Sequence, residues 1–481
     1  MKKLNIIILA ATGLFFVAES CKKIDDFGNI NNNPNATTAP VTSALLTNVE
    51  SNLGNTVWGN GISIRGGLFA QFFSETQYTE ASRYDKPVYN MDGFYSGDIY
   101  DLQNIINYNT DPATAEIAAK NGSNANQIAI ARILKAYNFW VLTDTYGDIP
   151  YFEALKGEGI LEYDAQADIY ADLFKELKEA VDGFDNGDPV RGDVLFNSNI
   201  SKWKKFANSL RLLMALRLAK KDANLAKTEF TSALSHAAGV IENNSDNASL
   251  EFPGGIYNHP LYQYYNITLR FDYALSKTVT DFLSANNDTR INAYGSSAIG
   301  FPYGLTRDNA VIFSGANPNW SYVLAADKRA PSSPISIISA SQVYLARAEA
   351  AQRTWTAESM TNMYSLGIQR SWEEWGVYDA AGFTNYMAQT AINLSANALT
   401  KIQTQQWLAF YPNGTQGWSN WRRTNVPALT PAPGVGKPIP RRIPYGPNDY
   451  NYNLDNVTAA AAQYKVGSED DSQDGKVWWD N

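Results

Sequence analysis

The sequence predicts an all-α protein built from packed helix pairs. Apolar side chains recur at helical spacing in one segment after another of the 481-residue chain, whereas segments with the alternation of a β-strand are few and short. The apolar stripes stop near glycine or proline, as at Gly183 and before Pro150, and such residues commonly end helices. The length of the chain and its stripes together predict a large, mainly helical core.

The N-terminus has the pattern of an export signal. Lysines lie near the start, the run from Ile6 to Ala18 is apolar, and small residues stand just before Cys21, the single cysteine of the chain. The run is too short to span a bilayer, which takes about 20 apolar residues. The cysteine is either a free thiol or the acylated first residue of a bacterial lipoprotein. Ala18 and Ser20 suit a lipoprotein signal, so we predict that residues 1–20 form a signal peptide and that Cys21 carries lipid.

The segment behind Cys21 is expected to be a flexible stalk. Residues 21–40 are polar, rich in asparagine and interrupted by Pro34 and Pro40, with no periodicity that would build a core. Two or three acyl chains hold a protein on a membrane, so the predicted arrangement is a lipid anchor, a stalk and a helical domain over residues 41–481. The net charge of −9 disfavours binding to nucleic acid or to anionic lipid through a basic surface.

Successive apolar stripes predict the main helices. The stripe from Ile130 to Val141 predicts a helix over Ala125 to Thr145. A later stripe predicts a helix that Ser201 caps. Helices are expected in the following ranges: Asp168–Phe184, Ser201–Lys221, Leu225–Asn244, Ser341–Trp355, Glu358–Gly376 and Asn397–Tyr411.

One of these helices indicates how they stack. Ala346, Ala348, Ala350 and Ala351 place small side chains on more than one face, so neighbouring helices can approach from both sides. This is typical of antiparallel helix pairs of the tetratricopeptide type. No clean 34-residue repeat is present, and the number of repeats stays open.

Two segments lack a helical stripe. Ser74–Gly97 and Arg290–Pro334 combine glycine or proline with many aromatic residues. Long irregular segments inside a compact domain tend to be functional or disordered, and the aromatic side chains offer enough apolar area to hold these two in place. We expect ordered surface loops.

The residue content disfavours the common kinds of catalytic site. His236 and His259 are the only histidines, and no P-loop, GxSxG, HExxH or GxGxxG motif occurs, so zinc sites and histidine-based triads have little to draw on. Carboxylates are plentiful, and a glycosidase that uses two of them stays open. We interpret Asp144 and Asp148 as structural residues at a helix end. The pair Glu373-Glu374 is interpreted as solvated charge.

Several motifs resemble those of one family of outer-membrane lipoproteins. They are "LTDTYGDIPYFEAL" (142–155), "WKKFANSLRLLMALRLA" (203–219), "YLARAEAAQR" (344–353), "GWSNWRRT" (417–424), "RRIPYG" (441–446) and the terminal "KVWWD" (476–480). In their order, and with the lipoprotein start, they resemble the SusD/RagB family, specifically its SusD-like subgroup. The resemblance covers essentially the whole mature chain.

The resemblance implies a function as well as a fold. It implies a tetratricopeptide-like helical superhelix with long irregular ligand-binding loops, held by lipid on the outside of the outer membrane. Such proteins capture oligosaccharides, or in some members peptides, and pass them to a SusC-like TonB-dependent transporter. The resemblance implies no cofactor and no enzymatic activity.

Aromatic residues in the two irregular segments are the predicted ligand contacts. Tyrosine and tryptophan rings cover the flat C–H faces of sugars, while polar side chains bond their hydroxyl groups. For each ring, ligand contact and loop packing are equally open alternatives; tryptophans in helical stripes, such as Trp203 and Trp407, are assigned to the core. The predicted ligand-binding residues are Tyr78, Arg83, Tyr84, Tyr89, Asn90, Tyr294, Tyr303, Arg307, Asp308, Asn319 and Trp320. A surface glycoside hydrolase and an adhesive helical scaffold remain as alternative functions.

Overall fold

Helices carry most of the chain in a computed structural model that describes residues 40–59, 61–157 and 159–481. The predicted signal peptide, the acylated Cys21 and all of the stalk except Pro40 lie outside the described residues. Residues from Thr42 to the C-terminus form one compact unit. The predicted fold class, all-α with tetratricopeptide-like pairs, is confirmed.

The principal helices, labelled in chain order, are α1 (Thr42–Val57), α2 (Gly61–Phe69), α3 (Tyr100–Thr110), α4 (Asn124–Tyr146), α5 (Gln166–Asp182), α6 (Ile200–Arg217), α7 (Ala223–Leu234), α8 (Lys277–Ala285), α9 (Arg307–Ala316), α10 (Ala340–Gln352), α11 (Met360–Glu374), α12 (Ala380–Ala388), α13 (Ala398–Phe410), α14 (Gly414–Thr424) and α15 (Leu454–Ala461). The strands are β1 (Phe73–Glu75), β2 (Ala248–Leu250), β3 (Tyr273–Leu275) and β4 (Ile335–Ile338). Short helical turns occur at Asp92–Phe94, Ala115–Ala118, Pro260–Tyr262, Ile291–Tyr294 and Pro447–Tyr452.

Consecutive helices pack as pairs. Helix α4 lies between α3 and α5, α6 packs against α7, α10 against α11, and α13 against both α10 and α14. The alanine-rich helix α10 contacts neighbours on several sides, as its small side chains predict, and only its last two residues are not buried. The four strands form two antiparallel ribbons, β1 with β3 and β2 with β4. The predicted core assignments of Trp203 and Trp407 are confirmed, since both are at most 1% exposed.

Helices α6 and α7 differ from the prediction at one end each for a reason that the structure shows. Helix α6 is capped by Asn199, whose side chain accepts a hydrogen bond from the Lys202 backbone, so Ser201 lies inside the helix. Helix α7 ends at Leu234 and does not reach residue 244. Beyond it, the His236 Nδ1 accepts a hydrogen bond from the Ala238 backbone at 3.2 Å and the chain turns.

The segment predicted as a loop from Arg290 to Pro334 contains helix α9. Thr306 caps this helix by accepting a hydrogen bond from the Asn309 backbone. Ala310 is its single buried residue, so the helix has no apolar stripe for the sequence to display. The prediction of a continuous irregular loop was therefore wrong for these ten residues and for the helical turn Ile291–Tyr294.

The acidic residues of two helix ends have different environments. Asp144 is fully buried, lies 3.1 Å from the Arg217 guanidinium and accepts a hydrogen bond from Trp479 at 2.7 Å, while Asp148 accepts from the Gln166 backbone at 2.9 Å. Their predicted structural role is confirmed. Glu374 differs from the predicted solvated charge, because it accepts a hydrogen bond from Ser336 at 2.6 Å and burial raises its pKa to about 6.

Helices α2 and α14 approach so closely that only glycine fits between them. A Cβ atom added at Gly414 would lie 2.2 Å from both the Gly67 nitrogen and the Ser63 oxygen, which are backbone atoms with little freedom to move. We expect Gly414→Ala to lower the free energy of unfolding by about 1–3 kcal/mol, measured by denaturant unfolding. Gly93→Ala is the matched control, since nothing lies within 4 Å of a Cβ there. Equal stability of the two variants would contradict this packing.

Among the described residues, no helix combines the length and the apolar content needed to cross a bilayer.

Candidate ligand-binding surface

The two aromatic segments that lack a helical stripe meet at one surface. Strand β1, at the start of the first segment, pairs with β3, and the Ser74 hydroxyl donates to the Phe301 carbonyl at 2.8 Å. Farther along, Arg83 donates from Nη1 to the Gly304 carbonyl at 2.8 Å. Residues distant in sequence are thereby fixed side by side.

The β1–β3 register places an exposed tyrosine beside an arginine. Glu75 pairs with Tyr273, and the ladder continues with a hydrogen bond from the Thr76 nitrogen to the Asp272 oxygen at 2.8 Å. The same register sets Tyr78 opposite Arg270, whose guanidinium carbon lies 6.0 Å from the tyrosine ring centre. The Tyr78 side chain is 50% exposed, so its ring is available to a ligand.

A second guanidinium approaches the same ring from helix α9. The Arg307 guanidinium carbon lies 5.9 Å from the Tyr78 ring centre. Arg270 is held by the buried Asp272, which accepts from its Nε at 2.7 Å, whereas Arg307 forms no ion pair within the described part of the chain. Cationic groups at this distance are attracted to the electron-rich face of an aromatic ring. Tyr78 is therefore flanked by Arg270, which Asp272 holds in place, and by Arg307, which has no ion-pair partner among the described residues.

More rings extend from this point at angles to one another. The ring centres of Trp320 and Tyr322 are 4.8 Å apart with an interplanar angle of 70°, and those of Tyr322 and Phe271 are 5.7 Å apart at 40°. Phe271 is exposed, and Trp320 and Tyr322 are partly exposed. We call the six residues Tyr78, Arg270, Phe271, Arg307, Trp320 and Tyr322 the Tyr78 surface. It offers ring faces and guanidinium donors, which is the chemistry that saccharide recognition uses.

Several predicted ligand contacts belong to this surface or border it. Tyr78, Arg307 and Trp320 are part of it, and the exposed Asp308 and Asn319 are their sequence neighbours.

Arg83 braces the loops of this region. Besides Gly304, its Nη1 reaches the Pro433 carbonyl at 3.0 Å. This half-buried side chain therefore joins two loops through backbone acceptors.

Three predicted tyrosines pack inward. Tyr84 is 2% exposed and its hydroxyl accepts from the Ala432 backbone, while Tyr294 is fully buried and stacks on Tyr411 with ring centres 4.4 Å apart. Tyr303 is partly buried against the main core. For Tyr84 and Tyr294 the predicted ligand contact is corrected to loop packing, because each ring is enclosed by protein atoms.

Tyr89 and Asn90 lie in a different environment. The Arg65 guanidinium carbon lies 5.7 Å from the Tyr89 ring centre, and the Asn90 side chain accepts from the Asn448 backbone at 3.0 Å. Within the described part of the chain, no hydrogen bond, ion pair or ring contact joins either residue to the Tyr78 surface, so both lie outside the proposed site.

Sequence reasoning did not include Tyr322 among the ligand contacts, and it missed Arg270 and Phe271, which precede β3 and lie outside both irregular segments. The adjacent letters of "LRFDYAL" (269–275) gave one signal, a charged and an aromatic residue before a short strand. Their place beside Tyr78 depends on the β1–β3 register, which a single sequence does not reveal.

The carboxylates of Asp272 and Asp308 lie next to residues of the Tyr78 surface. Asp272 is buried and is committed to Arg270 and to the Tyr264 hydroxyl, which donates at 3.0 Å. Asp308 is exposed at the first turn of α9. Within the part of the chain that the structure describes, no three histidine, cysteine or carboxylate side chains are grouped so as to hold a metal ion.

Comparison with known proteins supplies the family context. A family model for SusD-like proteins, described as starch-binding and associating with the outer membrane, matches residues 34–446. No curated protein matches the chain.

Solved structures share the whole fold. A chitin-binding protein is 28% identical, with a TM-score of 0.76, over 91% of this chain and 99% of its own. A Bacteroidetes SusD-like protein is 25% identical, with a TM-score of 0.75, over 92% of this chain and 99% of its own. A SusD homologue from Parabacteroides distasonis is 21% identical, with a TM-score of 0.78, over 92% and 98% of the two chains.

Proposed function

Because this chain belongs to the SusD-like family of starch-binding proteins that associate with the outer membrane, we propose that it captures oligosaccharides outside the cell and delivers them to a SusC-like TonB-dependent transporter. The observation that carries the proposal is the Tyr78 surface, where an exposed ring lies between two guanidinium groups. The family match and this surface independently favour a glycan.

The Tyr78 surface suggests how a sugar is held. A pyranose ring presents a flat C–H face that stacks on tyrosine or tryptophan, and its hydroxyl groups accept hydrogen bonds from guanidinium N–H groups. Arg270 is fixed by Asp272 before any ligand arrives, so little conformational entropy is lost there on binding. Because the Trp320 and Tyr322 rings are inclined by 70°, sugar units that lie on both rings would follow a bent path.

Calorimetric titration tests the ligand class. The probes are maltoheptaose, which represents starch, chitohexaose, suggested by the chitin-binding relative at 28% identity, and a mixture of neutral oligopeptides. We expect heat of binding with at least one glycan and none with the peptides. Binding of peptides alone would replace the oligosaccharide with the oligopeptide alternative, and binding of neither would remove the proposal.

The proposed anchor is a lipid on Cys21. We propose cleavage of residues 1–20, acylation of Cys21 and a stalk over residues 21–40 that carries the domain at 41–481. Cys21→Ala is expected to abolish metabolic labelling by a clickable fatty acid and to release the protein from the membrane fraction, since the acyl chains supply the membrane affinity. A labelled Cys21→Ala variant would contradict the anchor.

The proposed partner is tested by co-purification from detergent-solubilised outer membranes. We expect a SusC-like barrel to be recovered with the wild-type protein. Recovery of other proteins without such a barrel would favour the adhesive-scaffold alternative.

A further inference from the structure

A second concave surface lies between helix α1 and the segment from Leu250 to Thr268. It encloses about 1030 Å³, which matches the upper end of the range for ligand sites. This volume exceeds what a single sugar unit needs. We call it the α1 cleft. The amide and aromatic side chains that line it include Asn48, Asn52, Asn55, Tyr257, Gln263 and Tyr264.

The polar lining of the α1 cleft is mostly uncharged. Asn52 donates from Nδ2 to Asp98 at 2.8 Å, and Asn48 donates from Nδ2 to Asp101 at 2.9 Å. These contacts orient both side chains and leave each amide oxygen as an acceptor. In the described part of the chain, the side-chain amides of Asn55 and Gln263 make no hydrogen bond.

The charges around the cleft are negative. Glu251 is the one carboxylate among the described lining residues, which include no lysine, arginine or histidine, and Asp98 and Asp101 accept hydrogen bonds from the two asparagines. A ligand carrying carboxylate or sulfate groups is disfavoured there because like charges repel. Neutral hydroxyl groups, which both donate and accept, match the amides.

Aromatic rings supply the apolar part of the lining. Tyr257 is 64% exposed, although large aromatic side chains are usually better covered in a folded protein. Tyr264 is partly exposed, and the Trp58 ring packs edge-on to it with centres 5.9 Å apart. Exposed rings among neutral amides repeat the chemistry that sugars require.

One side chain joins the α1 cleft to the Tyr78 surface. Tyr264 lines the cleft, and its hydroxyl donates to Asp272 at 3.0 Å. Asp272 also holds Arg270, which flanks Tyr78. The two surfaces therefore share a buried anchor and adjoin each other.

We propose that the α1 cleft binds the continuation of a neutral oligosaccharide whose other end lies on the Tyr78 surface. This inference rests on the proposed function. It adds a second set of contacts for one ligand. In this arrangement the ring of Tyr257 stacks on a distal sugar unit. Short glycans fill the Tyr78 surface alone, and longer ones gain affinity by reaching the cleft.

The test is a calorimetric length series with maltooligosaccharides and chitooligosaccharides from two to seven units. For the family that binds, we expect affinity to rise up to the longest chains at a stoichiometry of one. Tyr257→Ala is expected to weaken the longest chain at least fivefold and to leave the shortest binding chain unchanged. Tyr452→Ala, which removes a 73% exposed tyrosine outside both surfaces, is the matched control and should change neither. Thermal unfolding verifies that the variants are folded.

The possible failures are distinguishable. If wild-type protein binds glycans but Tyr257→Ala leaves the longest chain unaffected, or if two short glycans bind per protein, the shared-ligand assignment is overturned while the proposed function stands. If no length binds, the proposed function fails and the cleft assignment fails with it.

Discussion

Replacing Glu349 by alanine should lower the free energy of unfolding by about 3–5 kcal/mol, because the buried guanidinium of Arg423 would lose its counter-charge. Glu349 is fully buried on α10 and receives both terminal nitrogens of Arg423, at 2.7 and 2.8 Å, from α14. Gln406 on α13 donates to the same carboxylate at 2.9 Å, and Arg353 donates at 2.9 Å. A single side chain thus joins three helices of the core.

The same carboxylate predicts an acid-dependent loss of stability. Burial opposes its ionisation, but the charges of Arg423 and Arg353 outweigh burial and lower the pKa of Glu349 from 4.5 to about 2. A depressed pKa in the folded state adds stability that is complete above about pH 4.5 and is lost as the pH falls towards 2.

Urea unfolding of wild type and Glu349→Ala at pH 7 and pH 3 measures both effects. The difference in the free energy of unfolding between wild type and Glu349→Ala should be smaller at pH 3 than at pH 7. Glu153→Ala is the control, since this carboxylate is exposed and pairs with Lys156, and we expect a change below about 1 kcal/mol. If Glu349→Ala had the same free energy of unfolding as wild type, the stabilising role of the buried network around Glu349 would be contradicted.

Tyr78→Ala should weaken the tightest glycan in the panel by about 10- to 100-fold. Loss of a ring that a sugar stacks on, together with its two guanidinium contacts, corresponds to roughly 1.4–2.8 kcal/mol, the size of a binding hot spot. Folding should be unaffected because the side chain is half exposed. Calorimetry with maltoheptaose and chitohexaose provides the measurement.

Tyr78→Phe separates the ring from the hydroxyl group. It keeps the face that stacks and should retain most of the affinity. Wild-type affinity in Tyr78→Ala would show that sugars bind elsewhere.

The helices could be predicted because their information is local. Apolar spacing between Ile130 and Val141 identified α4, which spans Asn124–Tyr146. The small side chains of α10 likewise predicted a helix packed on several sides. Helix α9 was not predicted because its apolar residues Val311 and Ile312 are exposed and belong to no apolar stripe.

The candidate site was only partly predictable because the tertiary structure decides whether a side chain points to solvent or into the protein. Tyr78 and Tyr84 stand six residues apart in one aromatic segment, yet the first is 50% exposed and the second 2%. The partners that enclose Tyr84 come from the segment near Ala432, and Arg270 reaches Tyr78 through strand pairing. Neither of these contacts can be inferred from the residues that neighbour Tyr78 or Tyr84 in the sequence.

The fate of a bound oligosaccharide tests the central claim most directly. Detergent-purified protein is equilibrated with the glycan that binds best, separated from free sugar, and denatured to release what it holds. The account predicts recovery of one glycan per protein at its original length. Absence of retained sugar, or recovery of shortened products, would contradict a protein that captures its ligand and hands it on intact.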